Sequence, residues 1–353
     1  MHEEAQDRRG RGSAEVSVDL VPWGLAVGHA TDVEGATGLT VVRGADGGFH
    51  AAAAVLGRAT GTRELHTLSP GHLVDRTDAI LLTGGSAYGL DAAAGVMRWM
   101  EERGRGFPVV GGVVPIVPAA VIFDLAPLGR FTARPTADMA YAACEDARAD
   151  GVLEGSVGVG TGATIGTMAG RASAMKGGFG CAIARGGGVS VVAMAVVNAA
   201  GDVRGADGSI IAGARKPGGG FVDVARLTAD GALVPSFGDA VAGHTTLALV
   251  AVDSTLTRLE LTQLAVAAGA ALYRRITPVG TSLDGDVVFA ACPVADTSQP
   301  RAALAAPHVE ALAVQALESA IERGVRTARG RDGIPGLADG APSRARDATP
   351  GRL

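Results

Sequence analysis

A pair of threonines, Thr245 and Thr246, stands immediately before an apolar segment, residues 247–252, in this chain of 353 residues. A threonine hydroxyl becomes a nucleophile when a base lies beside it, and the α-amino group of an N-terminal threonine can be that base. Because such an amine titrates at about pH 7.7 to 8, a useful fraction is neutral near pH 7. Cleavage of the bond between His244 and Thr245 would therefore place a nucleophile and its base in one residue. Threonine is also an ordinary strand residue, so the pair alone leaves both interpretations open.

Other polar side chains have types that suit the same reaction. Attack on a carbonyl requires a fixed hydrogen-bond donor for the developing oxyanion, worth about 2.7 to 4 kcal/mol. Asn198 closes an apolar segment, and its amide could be such a donor, although asparagine before Ala-Ala-Gly-Asp also suits a turn. Asp284 and Asp286 flank a glycine just before another apolar segment. From the residues alone, an Asp-Gly-Asp sequence suits a turn.

The elements that must position these residues are a mixture of strands and helices. Apolar residues at spacings of three and four predict a helix over 88–103. Turn residues at 46–48 predict a hairpin of 40–43 with 49–55, and the glycine run at 185–188 predicts a hairpin of 179–184 with 189–198. The other predicted elements are strands at 80–82 and 287–291 and helices at 136–149, 257–275 and 309–323. This mixed order favours an α+β fold with largely antiparallel sheets.

The composition also predicts where the ordered domain begins and ends. Residues 1–15 are charged and are predicted to be flexible, and residues 16–329 are predicted to form a single catalytic domain. Within it, residues 201–243 are rich in glycine, alanine and charge, which predicts an exposed connector. After residue 329 the chain turns to glycine, proline, arginine and aspartate, so residues 330–353 are predicted to be a disordered tail.

Composition argues against several other classes of function. The net charge of −5, the aromatic content of 4% and the lack of a Lys/Arg run argue against nucleic-acid binding. No apolar signal sequence and no run of about 18 apolar residues is present, so we expect a cytoplasmic protein that does not enter a membrane. Three cysteines without paired spacing predict neither disulfides nor a zinc site. The glycine run over 155–166 misses the dinucleotide pattern, and Lys176 is a charge without an assigned role.

Four segments, in their shared order, resemble the DmpA-like aminopeptidases, which are self-processing N-terminal-nucleophile hydrolases. They are residues 27–42 (VGHATDVEGATGLTVV), residues 80–107, residues 155–166 (GSVGVGTGATIG) and residues 243–276, which begin GHTTLALVAVD. The resemblance covers most of the chain, from about residue 21 to about residue 291. It implies a four-layer αββα sandwich of the DmpA and ornithine acetyltransferase type, with no metal and no cofactor, and assembly as a homo-oligomer of cleaved pairs.

The resemblance also implies a role for each candidate residue. Thr245 corresponds to the nucleophile, so self-cleavage would divide the chain into a large subunit, 1–244, and a small subunit, 245–353. Asn198 matches an asparagine that donates to the oxyanion. Asp286 matches an acid that holds the new α-amine, whereas Asp284 stands where well-studied relatives have a serine. Two carboxylates raise the pKa of a nearby ammonium, which weakens the amine as a base unless one carboxylate is protonated or turned away.

Two further departures from the family pattern affect the substrate and the cleavage site. Aminopeptidase members carry a Glu and a Tyr where this chain has Val121 and Phe123. The chain thus lacks the acid that is thought to bind a substrate amine, and it lacks a phenol that could donate to the oxyanion. An amidase or esterase that acts on an uncharged acyl group is therefore as consistent with the sequence as an aminopeptidase. His244 replaces the Asn or Gly that often precedes the scissile bond. Its imidazole could assist the first cut as a base or slow it by bulk.

Together with this resemblance, the sequence predicts a self-processing hydrolase that cleaves a small amide, peptide or ester through acyl transfer to Thr245. The expected partners are a small-molecule or short-peptide substrate and other copies of the chain. Two alternatives stay open. One is an acyltransferase of the ornithine acetyltransferase type, which passes the acyl group to an amine instead of water. The other is an uncleaved scaffold protein without enzymatic activity.

Overall fold

The structure, a computed structural model, describes residues 13–233, 244–294 and 305–340. Two β-sheets pack face to face, and helices cover the outer face of each sheet. The predicted α+β class and the four-layer αββα sandwich are confirmed. Within these three ranges, no helix is long and apolar enough to cross a membrane.

In chain order, the strands of the described residues are β1 (Ser13–Asp19), β2 (Leu25–Asp32), β3 (Thr37–Gly44), β4 (His50–Val55), β5 (Thr62–Arg63), β6 (Ala79–Thr83), β7 (Phe107–Val109), β8 (Gly112–Val114), β9 (Ala119–Val121), β10 (Asp150–Gly155), β11 (Thr164–Ile165), β12 (Met175–Lys176), β13 (Gly178–Gly186), β14 (Val189–Val197), β15 (Asp202–Arg204), β16 (Ile210–Ala212), β17 (Leu247–Val252), β18 (Ile276–Thr277) and β19 (Val287–Cys292). The α-helices are α1 (Ala93–Glu101), α2 (Ala137–Asp146), α3 (Val224–Ala229), α4 (Arg258–Ala268), α5 (Ala270–Arg275) and α6 (Ala306–Arg326). Short 3-10 helices lie at Val21–Trp23, Leu65–Leu68, Ser86–Ala92, Gly158–Thr161 and Thr167–Ala169.

Two sheets form the inner layers of the sandwich. Within the described residues, the larger sheet has seven strands in the order β1-β10-β13-β14-β17-β19-β4, and its partner has five in the order β2-β3-β6-β9-β5. In these sheets β17 runs parallel to β19 and β6 runs parallel to β9, whereas the other neighbouring strands are antiparallel. Smaller ribbons are formed by β11 with β12, by β7 with β8, and by β16, β15 and β18.

Apolar side chains alternate along the central strands, so both faces of the larger sheet are buried. In β17, Leu247 and Leu249 belong to the core between the two sheets, together with Phe289 of β19. Ala248 and Val250 belong to the core beneath α4, α5 and α6. Helices α1 and α2 cover the outer face of the smaller sheet with a third apolar cluster. The strand that follows the threonine pair is therefore buried on both sides.

Most predicted elements are present close to their expected positions. β13 and β14 form the predicted long hairpin, in continuous antiparallel register from Gly178 with Val197 to Gly186 with Val189. The helices predicted over 136–149 and 309–323 are α2 and α6, and the helix predicted over 257–275 is α4 followed by α5. The helix predicted over 88–103 is a 3-10 helix that continues into α1. The strands predicted at 80–82 and 287–291 are β6 and β19.

The hairpin predicted for 40–43 with 49–55 is wrong. β3 pairs with β2 and β6 in the smaller sheet, whereas β4 pairs with β19 at the edge of the larger sheet. The turn at 46–48 therefore carries the chain from one sheet to the other. Both segments are apolar enough to be buried, and local turn chemistry contains no information about which sheet buries each strand.

The predicted exposed connector is partly folded. Residues 201–233 include β15, β16 and α3. The buried carboxylate of Asp202 accepts hydrogen bonds from the backbone N–H groups of Ala214 at 2.8 Å and Val224 at 2.7 Å. One aspartate thus holds both residue 214 and the first turn of α3, which glycine content alone does not indicate, and the prediction of an exposed connector is wrong for these residues. Residues 234–243 lie outside the described residues.

The predicted disordered tail is folded at its beginning. Ile334 is buried, and the backbone N–H of Lys176 donates to the carbonyl oxygen of Pro335 at 2.8 Å. The Asp339 carboxylate accepts hydrogen bonds from the N–H groups of two glycines, at 2.7 and 2.9 Å. The glycine and proline content over 330–340 therefore forms a bonded turn that packs on the domain. At the other end, β1 begins before residue 16, and residues 1–12 and 341–353 lie outside the described residues.

Candidate active site

The register of the larger sheet brings the predicted site segments together. Antiparallel pairing of β14 with β17 places Asn198 beside Thr245. Parallel pairing of β17 with β19 places residues 284–286 on the other side of Thr245. The backbone N–H of Thr245 donates to the carbonyl oxygen of Asn198 at 2.8 Å. Segments far apart in sequence therefore meet at the start of β17.

Gly285 contacts both sides of the bond between His244 and Thr245. Its backbone N–H donates to the carbonyl oxygen of His244 at 2.8 Å. A methyl group on its Cα would stand 2.6 Å from the Thr245 hydroxyl oxygen and 2.9 Å from the carbonyl oxygen of Ala59. A side chain at position 285 would displace the Thr245 hydroxyl. The glycine therefore leaves space for this hydroxyl beside the peptide bond between His244 and Thr245. Thr245 and His244 are only 5% and 6% exposed.

Asp284 and Asp286 are both buried and both accept hydrogen bonds from the backbone. The Asp286 carboxylate is bonded to the N–H groups of Thr246 at 2.7 Å and Gly280 at 3.1 Å. The Asp284 carboxylate is bonded to the N–H of Thr281 at 2.7 Å. Burial, followed by repulsion from Asp284, raises the pKa of Asp286 to about 7. Burial also raises the pKa of Asp284. The Asp286 carboxyl can therefore hold a proton near neutral pH.

Both ends of the Asn198 amide have partners in the intact chain. Its Oδ1 accepts a hydrogen bond from the backbone N–H of Thr164 at 3.0 Å, and its Nδ2 donates to the carbonyl oxygen of Phe123 at 3.3 Å. Because Oδ1 is engaged by an N–H group, the amide nitrogen is the end that donates towards Phe123. That is the polarity an oxyanion requires, and the 3.3 Å bond is the weaker of the two.

Val121 and Phe123 lie at the end of β9, on the side of the site formed by the smaller sheet. Val121 is buried, and Phe123 is half-buried and reaches Asn198 through its backbone carbonyl. The next residue, Asp124, is a buried acid that sequence reasoning passed over. Its carboxylate accepts hydrogen bonds from the Thr37 hydroxyl at 2.7 Å and the Gly85 N–H at 2.6 Å, and burial raises its pKa to about 6. These bonds tie Asp124 to the smaller sheet.

Lys176, which the sequence left without a role, fastens the glycine-rich segment behind the site. Its ammonium group donates to three backbone carbonyl oxygens at 2.7 to 2.9 Å, those of Gly160, Ala163 and Gly177. Burial, with repulsion from Arg331, lowers the pKa of Lys176 to about 7. β12 pairs with β11 and so holds Thr164, whose N–H reaches Asn198. The sequence signal for this role was a lysine within a glycine-rich segment, because a buried ammonium group needs several hydrogen-bond acceptors and the backbone there can supply them.

Thr167 is a second residue that sequence reasoning missed. Its hydroxyl oxygen lies 3.1 Å from Nδ1 of His244, and both residues are buried. The two positions are 77 residues apart, so no local pattern connects them. His244 is therefore held at its side chain by Thr167 and at its carbonyl by Gly285.

The part of the chain that the structure describes contains no group of three or more His, Cys, Asp and Glu side chains placed to hold a metal ion. Cys144, Cys181 and Cys292 are buried thiols. The candidate site consists of hydroxyl, carboxyl, amide, imidazole and backbone groups.

Two packed sheets between helix layers form the variant of the N-terminal-nucleophile hydrolase fold that is described for the L-aminopeptidase D-Ala-esterase/amidase of Ochrobactrum anthropi. The chain belongs to peptidase family S58, whose family model matches residues 21–337. This confirms the resemblance to the DmpA-like aminopeptidases. The chain is therefore a hydrolase of the peptidase and amidase class.

Individual proteins with similar sequences support the same family assignment. The chain is 41% identical over 311 residues to an uncharacterized aminopeptidase of Mycobacterium tuberculosis, covering 81% of this chain and 85% of the relative. It is 31% identical over 280 residues to a 6-aminohexanoate-oligomer endohydrolase of Agromyces sp., covering 76% of this chain and 72% of the relative.

Two solved structures share the fold. The β-aminopeptidase of Burkholderia sp. has a TM-score of 0.64 at 20% identity, covering 94% of this chain and 93% of that one. The L-aminopeptidase D-Ala-esterase/amidase of Ochrobactrum anthropi has a TM-score of 0.63 at 18% identity, covering 91% of each chain.

Proposed function

We propose that the chain is a self-processing hydrolase in which Thr245 first attacks its own peptide bond and then attacks substrate. The observation that carries this proposal is the arrangement around one carbonyl. The carbonyl oxygen of His244 accepts the N–H of Gly285, and the Thr245 hydroxyl lies against the same glycine. A backbone N–H aimed at a carbonyl oxygen stabilises the oxyanion that forms when the carbonyl is attacked.

In self-cleavage, the Thr245 hydroxyl oxygen bonds to the carbonyl carbon of His244, and the hydroxyl proton passes to a base. The bond from that carbon to the Thr245 nitrogen breaks, and the nitrogen takes up a proton to become an amine. Water then cleaves the resulting ester, which leaves a carboxylate on His244 and restores the hydroxyl. The Asp286 carboxyl is suited to exchange protons here, because its pKa is raised to about 7 and it is bonded to the N–H of Thr246.

In turnover, the free amine of Thr245 takes the hydroxyl proton during attack on the substrate and later delivers it to the leaving group. The carbonyl oxygen of Asn198, which accepts the Thr245 N–H in the intact chain, would keep that amine oriented. The Asn198 Nδ2 would exchange its 3.3 Å bond to Phe123 for a bond to the substrate oxyanion. Water releases the acyl group from Thr245.

The proposed substrate is a small amide or short peptide, with esters as further candidates. The named relatives are an aminopeptidase and an endohydrolase of 6-aminohexanoate oligomers, so amide cleavage is their common chemistry. Val121 supplies no acid for a substrate ammonium, and Asp124 is bonded to Thr37 and Gly85. A substrate with an uncharged acyl group is therefore as good a candidate as one that carries a free amine. Membership of a peptidase family favours hydrolysis over acyl transfer and over a scaffold role. Homo-oligomeric assembly and a cytoplasmic location stay predictions.

Mass spectrometry of the denatured protein tests the first step. Cleavage before Thr245 should give species of about 24 and about 11 kDa, in proportion to 244 and 109 of the 353 residues that together weigh 35.1 kDa. Thr245→Val should leave one full-length, inactive chain. Thr246→Val is the matched control, because the Thr246 hydroxyl is buried without a hydrogen-bond partner among the described residues. A processed Thr245→Val chain would remove Thr245 from the mechanism.

A further inference from the structure

The His244 imidazole contacts the hydroxyl group of Thr167 beside the scissile bond. Its Nδ1 lies 3.1 Å from the Thr167 hydroxyl oxygen, and the surrounding protein leaves both residues almost without solvent contact. His244 is also the residue whose carbonyl Thr245 would attack. The structure therefore shows where the side chain of one acyl group lies relative to the nucleophile.

Thr167 is held firmly in that position. It opens the short helix Thr167–Ala169, whose backbone is tied to the segment that follows β14. The N–H of Gly166 donates to the carbonyl oxygen of Gly201 at 3.0 Å, and the N–H of Met168 donates to that of Ala200 at 3.3 Å. The segment that carries Thr167 is thus fixed next to Asn198, and the hydroxyl is preorganised for a ligand.

Self-cleavage and turnover share one covalent species, an acyl group esterified to the Thr245 oxygen. In self-cleavage the acyl group is that of His244, and in turnover it comes from the substrate. Both esters are formed on the same oxygen, so the side chain of the substrate acyl group should lie where the His244 side chain lies. We propose that the space occupied by the His244 imidazole is the pocket that binds the acyl side chain of the substrate, and that Thr167 selects this side chain. This inference rests on the proposed function and adds a substrate class to it.

The position of the contact defines that class. Nδ1 of histidine is bonded to Cγ, so Thr167 recognises a hydrogen-bonding atom attached to Cγ of the acyl residue. Histidyl and asparaginyl groups carry such an atom, whereas a leucyl group carries a methyl in its place. An aspartyl group also carries it but would bring a charge into a site that already holds the buried carboxyls of Asp284 and Asp286. The preferred substrates are amides or esters of acyl groups with a neutral polar atom at this position.

The rate of self-cleavage tests the contact within the intact chain. Single chains made by cell-free synthesis would be followed by gel during conversion to two fragments. Losing one hydrogen bond should slow cleavage roughly three- to tenfold, so His244→Leu and Thr167→Val should each show that loss. His244→Asn and Thr167→Ser should restore most of the rate, because each keeps the bonding atom. Thr167→Val added to His244→Leu should cause no further loss.

Three results would overturn the proposal. The first is a Thr167→Val chain that is cleaved at the normal rate. The second is a double variant whose loss of rate equals the product of the two single losses, which would show that the two side chains act independently. The third is His244→Asn as slow as His244→Leu, which would mean that the imidazole acts as a base instead of through this bond.

Turnover by the cleaved protein provides the second test. The kcat/KM for the 4-nitroanilides of histidine and asparagine should exceed that for leucine by roughly three- to tenfold, and Thr167→Val should remove this preference. The leucine compound is the internal reference, so the ratio is the quantity measured. Cleaved protein that hydrolyses all three equally would overturn the role of Thr167 while leaving the nucleophile intact. A chain that is never cleaved, which the mass spectrum shows first, would reject the proposed function itself.

Discussion

Replacement of Gly285 by alanine should separate the two groups that self-cleavage brings together. The added methyl would stand 2.6 Å from the Thr245 hydroxyl oxygen, and contacts of this kind under 3.0 Å are essentially never seen, so the hydroxyl and position 285 must move apart by at least 0.4 Å. The methyl cannot turn away freely, because the Ala59 carbonyl oxygen would lie 2.9 Å from it. Gly285 does not have a left-handed backbone, so alanine fits the local conformation and the effect comes from the contact.

The displacement sets the expected size of the effect. A misplacement of about 1 Å can cost roughly 10²-fold in rate, so a shift of 0.4 Å or more predicts self-cleavage that is at least about five- to tenfold slower. The hydrogen bond from position 285 to the His244 carbonyl is made by the backbone and remains available in the variant. The slower rate would therefore report the position of the nucleophile.

The assay is a time course of fragment appearance for newly synthesised chains of the wild type, Gly285→Ala and Gly112→Ala. Gly112 is the matched control, because a methyl group there would meet nothing within 4 Å. Circular dichroism would verify that both variants are folded. Cleavage of Gly285→Ala at the wild-type rate would refute the reasoning, since the hydroxyl would then not depend on the space beside this glycine.

Charge and hydrogen-bond changes around the site have measurable consequences of their own. Because burial raises the pKa of Asp286 from 3.8 to about 7, the folded chain keeps a proton that the unfolded chain releases, and the free energy of unfolding should fall by up to about 4 kcal/mol as pH rises from about 4 to about 7. Urea unfolding of uncleaved Asp286→Asn should lack this part of the pH dependence, and an unchanged profile would contradict the assignment. Cleaved Asn198→Ala should lose about 10²- to 10³-fold in kcat on a chromogenic amide, whereas an unchanged kcat would exclude Asn198 as the oxyanion donor. Glu154 is fully buried and pairs with Arg323, which is 42% exposed, so Arg323→Ala should lower the free energy of unfolding by about 3 kcal/mol, the lower end for a broken buried pair. Arg326→Ala, whose own ion pair is exposed, should cost under about 0.5 kcal/mol, and equal losses in urea unfolding would argue against the buried pair.

The individual strands and helices were largely predictable because their signals are local. The apolar run at 247–252 is typical of a buried strand, and β17 is such a strand. The hairpin of β13 with β14 follows from two apolar runs around a glycine turn. The same local logic failed at 46–48, where the turn joins two sheets instead of two paired strands. Strand pairing depends on distant partners, and the turn residues are compatible with either outcome.

The candidate site shows the same division. The residue types at Thr245, Asn198 and Asp286 suggested acyl transfer, and the resemblance supplied their expected roles. Nothing in the sequence gave the contacts of Gly285, since its importance lies in an N–H and in the space that a missing Cβ leaves. Thr167 was missed for a related reason, because a threonine near a glycine run has no distinguishing local feature.

The sequence by itself determined the family, the order of the elements and the chemical types of the candidate residues. These depend on hydrophobic periodicity, turn residues and motifs that are read over short stretches of chain. Only the tertiary structure decided which residues meet at the start of β17, because the register of β17 against β14 and β19 is set by burial across the whole sheet. That register places the N–H of Gly285 on the His244 carbonyl, whereas backbone bonds to the segment after β14 place the Thr167 hydroxyl beside the imidazole. Both contacts join segments that no local pattern connects.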